Sequence, residues 1–176
     1  MVSPRSIPLL FSRCAAAAAF AAMAACLPAQ SAPGKPFPSL GAHGLTGGPL
    51  PETAGKVVIV DFWASWCAPC KASFPEYSKL QAAYAARGLV IVAVSVDESA
   101  APFEAFVAKL KPGFATLLDS KHSLVAEVQV PTMPTSYLLD RTGKVRFLHA
   151  GFHGDRTVAE LKKEIELLLA EPTPTP

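Results

Sequence analysis

The sequence lacks a surplus of charge of either sign. Its 16 basic and 14 acidic residues leave a formal charge of +2. Two of the basic residues, Arg5 and Arg13, lie close to the amino terminus, and without them the counts are 14 and 14. A strong positive surplus is the electrostatic mark of a nucleic-acid-binding protein. We therefore expect no nucleic-acid partner.

The amino-terminal segment lacks an apolar run long enough to span a bilayer comfortably, which takes about 20 residues. It holds a shorter, alanine-rich run from Cys14 to about Leu27, with two arginines before it and small residues after it. That arrangement is typical of a secretory signal, and we predict one over residues 1–32. Alternatively, MAAC resembles the cleavage box of a lipoprotein signal over residues 1–25, with Cys26 as a lipid anchor.

Cysteines are scarce. The chain has four, namely Cys14, Cys26, Cys67 and Cys70. Signal cleavage removes the first and either removes or acylates the second, so the mature thiols are Cys67 and Cys70. Structural zinc sites usually need four ligands, and no histidine is spaced as a partner of this pair. An inert disulfide across two residues would restrict the unfolded chain little. Redox exchange is therefore favoured, and we expect neither a metal nor a cofactor.

The cysteine pair lies in FWASWCAPCKASFP, between a predicted strand and a predicted helix. The continuous apolar run at 57–63 predicts a strand buried on both faces. Apolar spacings of three and four predict a helix over 68–86, and LVIVAVSVD at 89–97 predicts a second, parallel strand. Unpaired amides at the start of that helix favour a thiolate. We expect Cys67 to be the exposed nucleophile and Cys70, a turn inward, to be the resolving thiol.

The segment VDFWASWCAPCK resembles the active-site segment of the thioredoxin superfamily. VPTMPTSYLLDRTGKV resembles the second half of that fold in the TlpA/ResA branch, the exported thiol–disulfide oxidoreductases. The resemblance implies an α/β thioredoxin-like domain over 33–170, with a central mixed sheet flanked by helices and a βα insertion at about 114–128. The remainder, EPTPTP at 171–176, is predicted to be a disordered tail.

Several residues near the cysteines match positions of known importance in that superfamily. Pro69 lies between the cysteines, and Pro75 matches the proline that bends the active-site helix. Trp66 resembles the surface aromatic beside the nucleophile, whereas Trp63 is expected to be an ordinary packed side chain.

A second group of matching residues follows Val130. Pro134 corresponds to the cis-proline that lies against the dithiol, with Pro131 as the competing candidate. The resemblance implies that Met133, Pro134 and Thr135 bind an extended substrate segment through the backbone of Met133.

Asp61 lies six residues before Cys67 on the predicted buried strand. Burial would raise the pKa of its carboxyl and prepare it to accept the proton of Cys70. Many relatives of the TlpA/ResA type carry a glutamate three residues after the second cysteine, where this chain has Ser73. We therefore assign the acid to Asp61. The alternative is an aspartate at the strand end that reaches solvent.

The rest of the chain predicts further elements. Their predicted positions are a helix around 103–110, a strand over 114–118, a helix over 121–128, and a hairpin of 135–140 with 144–150. Thr157 and Glu160 predict a capping box for the last helix. The segment before residue 56, rich in Gly and Pro, is interpreted as a linker with a small hairpin.

The resemblance also implies partners. These are exported proteins with cysteine pairs, such as apocytochromes c or copper-centre assembly factors, and a membrane dithiol as electron donor. Two alternatives stay open. One is a peroxiredoxin-like antioxidant, although its Pro-x-x-x-Thr-x-x-Cys pattern is absent. The other is a copper-binding chaperone of thioredoxin fold, since two thiolates suit Cu(I).

Overall fold

The computed structural model describes residues 31–173. Nearly all of the signal peptide predicted over 1–32, the lipid anchor proposed at Cys26, and residues 174–176 of the tail lie outside this range. No helix within residues 31–173 is both long enough and apolar enough to cross a membrane.

A single five-stranded sheet forms the centre of the protein. Its strands are β1 (Val57–Trp63), β2 (Leu89–Ser95), β3 (Ala115–Leu118), β4 (Thr135–Leu139) and β5 (Val145–Ala150). They lie in the order β3-β2-β1-β4-β5. The first three are parallel, whereas β4 is antiparallel to both β1 and β5. This is the mixed sheet that the resemblance implied.

Four α-helices connect and cover the strands. They are α1 (Ala68–Tyr84), α2 (Ala100–Leu110), α3 (Ser123–Val128) and α4 (Asp155–Ala170). The helix predicted over 68–86 becomes α1 followed by a 3-10 turn at Ala85–Arg87. Gly88 ends that turn in the left-handed region at φ 103°, which glycine adopts most readily. The elements β3 and α3 fall within the predicted insertion at about 114–128.

Alternation along β1 divides the core into two layers. Val57 and Ile59 pack under α1 and α4, together with Leu161 of α4. Val58 and Val60 point to the opposite face, where α3 covers them. Because both faces are covered, every residue of β1 is buried, as its continuous apolar run predicted.

The prediction of a linker with a small hairpin before residue 56 was wrong. The segment instead runs along the sheet: Pro36 bridges to Lys144, and Thr46 bridges to Leu118 at β3. On the way, Leu40 packs onto the same face of the sheet as α3. Three apolar side chains of the segment, Phe37, Leu40 and Leu45, join that core layer. Burial of these apolar side chains stabilises the fold.

The predicted capping box of the last helix was also wrong. The helix α4 begins three residues earlier than expected, at Asp155, and its N-cap is Gly154. Thr157 lies inside the first turn, where its Oγ1 accepts a hydrogen bond of 3.0 Å from the backbone N–H of His153. The threonine therefore satisfies an amide outside the helix instead of one within it.

We predict that Thr157→Val lowers the free energy of unfolding by about 1 kcal/mol, because valine keeps the shape but leaves the His153 amide without this acceptor. Urea unfolding with an unchanged m-value would measure it. Glu160→Ala is the control, since a true capping box would make that variant costly as well. An unchanged stability for Thr157→Val would contradict the assignment.

Candidate active site

Cys67 and Cys70 form a disulfide at the amino end of α1. The S–S distance is 2.05 Å and the two Cα atoms are 5.3 Å apart. Cys67 is the N-cap residue in extended conformation, and its Sγ accepts a hydrogen bond of 3.2 Å from the backbone N–H of Cys70. The first amides of a helix have no partner within the helix. Here one of them is directed at the sulfur of Cys67, which favours negative charge on that atom.

The prediction that Cys67 is exposed was wrong for this disulfide form. Cys67 is only 4% exposed and Cys70 is 0% exposed. The cysteines are buried because residues distant from them in the sequence pack against them. Both cysteines belong to an apolar cluster with Trp63 and Phe74, and Met133, from the segment that precedes β4, packs against it.

The two tryptophans near the pair lie in different surroundings. Trp63 is fully buried, with its ring centroid 4.4 Å from that of Phe106. Trp66 is 70% exposed, beside the disulfide loop. An exposed indole next to a redox pair offers apolar surface to a protein that docks there.

The loop in front of Cys67 is held by Asp97, which sequence reasoning missed. The Asp97 carboxylate accepts hydrogen bonds from the backbone N–H of Ser65, at 3.1 and 3.2 Å, and from its hydroxyl, at 2.8 Å. The hydroxyl of Ser95, the last residue of β2, donates to the same carboxylate at 2.7 Å. In the sequence, a weak sign of this role is that Asp97 is the last residue of the run that predicts the second strand.

The segment before β4 reaches the same edge of the sheet. The peptide bond between Met133 and Pro134 is cis, at the proline that the resemblance identified. Thr135 is buried and donates from its hydroxyl to the carbonyl of Thr132 at 2.8 Å. The structure thus brings Met133, in the cluster that contains the disulfide, next to Pro134 and Thr135.

Two prolines lie within α1. Pro69 occupies the first turn, where its missing N–H is not needed by the helix. Pro75 lies in the interior of the helix, which continues through it to Tyr84. Ser73, at the position of the glutamate in many relatives, is buried and donates to the carbonyl of Cys70 at 3.0 Å.

Asp61 is fully buried, at 0% exposure, so the alternative of a solvent-reaching aspartate is excluded. Its Oδ1 accepts a hydrogen bond of 2.7 Å from the hydroxyl of Ser136, and its Oδ2 has no partner among residues 31–173. Burial raises the pKa of Asp61 to about 7, against the lowering effect of the nearby hydroxyls of Ser136 and Tyr77. A carboxyl of this pKa exchanges a proton readily near neutral pH.

Within residues 31–173, no cluster of three or more His, Cys, Asp or Glu side chains is placed to hold a metal ion. His149 is instead held by Glu164, at 2.6 Å. A copper site at Cys67 and Cys70 would therefore have no His, Asp or Glu ligand from the described residues.

Comparisons with known proteins agree with this geometry. The profile of the AhpC/TSA family matches residues 33–148. The thioredoxin-like protein YneN of Bacillus subtilis is 35% identical over 67% of this chain and 68% of its own length. The thiol–disulfide oxidoreductase ResA of Bacillus cereus is 32% identical over 54% of this chain, so the match spans 56% of that relative. A Chlorobium tepidum structure, assigned as a thiol:disulfide interchange protein DsbE, has 39% identity and a TM-score of 0.65 over 67% of this chain and 83% of its own.

The buried carboxyl generates a prediction about stability. The folded state holds the proton of Asp61 more tightly than the unfolded chain, so the contribution of Asp61 to stability is fully present below about pH 4 and is lost as the pH rises through 7. A shift from 3.8 to about 7 corresponds to about 4 kcal/mol. Asp61→Asn has no such proton, so its stability relative to the native protein should rise across this range.

Urea unfolding of the oxidised protein at several pH values would measure this, since the disulfide keeps the cysteines from titrating. Asp140→Asn is the matched control. Burial raises the pKa of Asp140, but hydrogen bonds from Thr142, Lys144 and Arg146 outweigh it and leave that pKa lowered. The control should show no comparable rise between pH 5 and 8. A flat difference for Asp61→Asn would mean that its carboxyl is already ionised in the folded protein at pH 5.

Proposed function

We propose a substrate class and a direction of electron flow for this chain, which belongs to the AhpC/TSA family and is a thioredoxin-like thiol–disulfide oxidoreductase. The proposal is that it reduces disulfides of exported proteins with its Cys67–Cys70 dithiol. The observation that carries the exchange chemistry is the hydrogen bond from the Cys70 amide to Cys67 Sγ at the start of α1, which supports Cys67 as the more readily ionised, attacking sulfur.

The reaction needs no group beyond the two cysteines and a proton acceptor. The Cys67 thiolate attacks a substrate disulfide, whose S–S bond breaks as a Cys67–substrate disulfide forms, and the released sulfur takes a proton from water. Cys70 then gives up its proton and attacks Cys67 Sγ, and the second substrate sulfur leaves with a proton. The dithiol loses two electrons and two protons, and the substrate disulfide gains them.

Asp61 is our candidate for the acceptor of the Cys70 proton. Cys70 is fully buried, so water has little access to its thiol. Asp61 is equally buried, lies on the face of β1 that α1 covers, and has a pKa of about 7. A carboxyl with that pKa is ionised in a large fraction of molecules at neutral pH and can take the proton.

Substrate binding is assigned to the two segments that flank the disulfide. Trp66 provides exposed aromatic surface. Met133 packs against the cluster that contains the disulfide and is followed by Pro134 and Thr135, and the backbone of Met133 would pair with an extended substrate segment. Such pairing recognises a main chain and not one particular side chain, which suits an enzyme with several protein substrates.

On the basis of residues 1–32, we propose the periplasm or cell envelope as the compartment. The alanine-rich run behind two arginines supports export, and Cys26 would tether the protein to a membrane if that cysteine is acylated. In an oxidising compartment, the disulfide that a reductant forms in each turnover must be reduced again by an electron donor. We propose a membrane dithiol as the electron donor, and cytochrome c or copper-centre assembly as the process that consumes the electrons.

The proposed direction rests on what surrounds Cys67. The residues between the cysteines, Ala68 and Pro69, include no histidine, so the thiolate lacks one source of stabilisation. The negative charge of Asp61 also disfavours a thiolate nearby. A less stable reduced form gives a lower reduction potential, and hence a better electron donor.

Trapping tests the substrate class. Cys70→Ser should leave exported proteins with cysteine pairs crosslinked to Cys67, because the resolving thiol is gone. Mass spectrometry of the envelope fraction would identify them, and reductant should release them. Cys67→Ser is the matched control and should trap far less. Equal or greater trapping by Cys67→Ser would reverse the roles of the two cysteines.

Equilibration with glutathione mixtures tests the direction. We expect a reduction potential below that of the glutathione couple, so that the Cys67–Cys70 disulfide persists in mixtures that reduce ordinary disulfides. Alkylation followed by mass measurement gives the reduced fraction at each ratio. A disulfide more easily reduced than the glutathione couple would make the protein an oxidant.

The same preparations distinguish the two alternatives. A peroxiredoxin-like antioxidant would turn over hydrogen peroxide with the dithiol as reductant. A copper chaperone would hold Cu(I) stoichiometrically against ordinary chelators. We expect neither result.

A further inference from the structure

Three buried side chains from three different elements form a continuous chain of hydrogen bonds beneath α1. The Tyr77 hydroxyl on α1 lies 2.7 Å from Oγ of Ser136 on β4. That Oγ lies 2.7 Å from Oδ1 of Asp61 on β1. The three residues are 1%, 2% and 0% exposed, respectively. The contact between Ser136 and Asp61 follows from the sheet register, since the two residues are direct partners across β1 and β4.

The direction of these hydrogen bonds is fixed when Asp61 is ionised. A carboxylate only accepts, so Ser136 must donate to Oδ1. The Ser136 oxygen is then free to accept, and Tyr77 must donate to it. Burial and the charge of Asp61 raise the pKa of Tyr77, so that phenol keeps its proton and remains a donor. Both hydroxyl dipoles therefore point toward the charge.

We propose that Ser136 and Tyr77 are positioning residues for thiol–disulfide exchange, which orient the Asp61 carboxyl and hold it ionised so that Oδ2 accepts the proton of Cys70. The inference rests on the proposed role of Asp61 in that reaction. Because Oδ1 is occupied by Ser136, the oxygen left without a partner within residues 31–173 is Oδ2. Neither Ser136 nor Tyr77 contacts a sulfur in this assignment, and both act through Asp61.

The surroundings leave few other groups to perform this task. On α1, Cys70 and Tyr77 face the sheet, and on β2 the partner of Asp61 is the apolar Ala93. On β5, His149 is the partner of Ser136, but its ring contacts Glu164 and Glu160 of α4. Phe114 and Phe152 pack on the Tyr77 ring, with centroids at 6.5 and 6.2 Å. The two hydroxyls are thus the polar groups on which the buried charge depends.

The first experiment follows the carboxyl carbon of Asp61 by NMR in the oxidised protein as the pH is varied. Reading this carbon directly follows the Asp61 carboxyl alone. Ser136→Ala should raise the midpoint by about one pH unit, because a hydrogen bond to the ionised form is lost. Tyr77→Phe should raise the midpoint by less, because the Ser136 hydroxyl still donates to the carboxylate.

Two further variants act as controls. Ser136→Thr keeps the hydroxyl and should restore the native midpoint. Tyr137→Phe removes the same hydroxyl as Tyr77→Phe, but from the opposite face of β4, where the ring packs against Phe37 and Phe62. Its midpoint should match that of the native protein. A Tyr77→Phe midpoint equal to that of Tyr137→Phe would remove Tyr77 from the assignment.

The second experiment measures the rate of thiol–disulfide exchange against pH. The profile should move upward with the Asp61 midpoint in Ser136→Ala and Tyr77→Phe, with Asp61→Asn as the reference that lacks the acceptor. An unchanged carboxyl midpoint in Ser136→Ala overturns the inference while the proposed reduction of disulfides stands. A carboxyl midpoint that moves without the exchange profile overturns Asp61 as acceptor, and the positioning role with it.

Discussion

The site depends on how strand direction brings chain ends together at one edge of the sheet. Because β1 and β2 are parallel, both end at the same edge. Because β4 is antiparallel to β1, it begins at that edge. The disulfide loop after β1, the Asp97 turn after β2 and the cis-proline segment before β4 must therefore meet. Segments as distant in sequence as Cys67 and Met133 become neighbours through strand order alone.

The same strand that delivers the cysteines also delivers the acid. Side chains alternate along β1, so Asp61 faces α1 together with Ile59 and Trp63. An ionised carboxyl there is costly unless donors are provided. Ser136 enters from the neighbouring strand to provide one, and Tyr77 on the helix above donates in turn to Ser136. The packing that stabilises the core and the polarity that the chemistry needs are therefore arranged on one face.

Sequence reasoning succeeded where a local pattern alone decides the structure. The strand at 57–63 was predicted to the residue because apolar content, β-branching and burial on both faces coincide there. It failed at the start of α4, where Gly154 takes the cap position and a plausible Ser/Thr–Glu pattern lies one turn inside. It also failed for the exposure of Cys67, which depends on Met133, 66 residues further along the chain. Neither Asp97 nor the Tyr77–Ser136 pair was found, because their partners are set by tertiary contact.

The two cysteines differ because they lie three positions apart at the start of one helix. Cys67 lies at the N-cap, where the Cys70 amide donates to its sulfur, so the helix itself favours its thiolate. Cys70 lies one turn in and is fully buried, so water has little access to its thiol. In the proposed reaction such a thiol needs an internal base, and Asp61 is a fully buried carboxyl on the adjoining face of β1. Under that proposal the helix start favours ionisation of one sulfur and, by burying the other, makes its loss of a proton depend on the strand beneath.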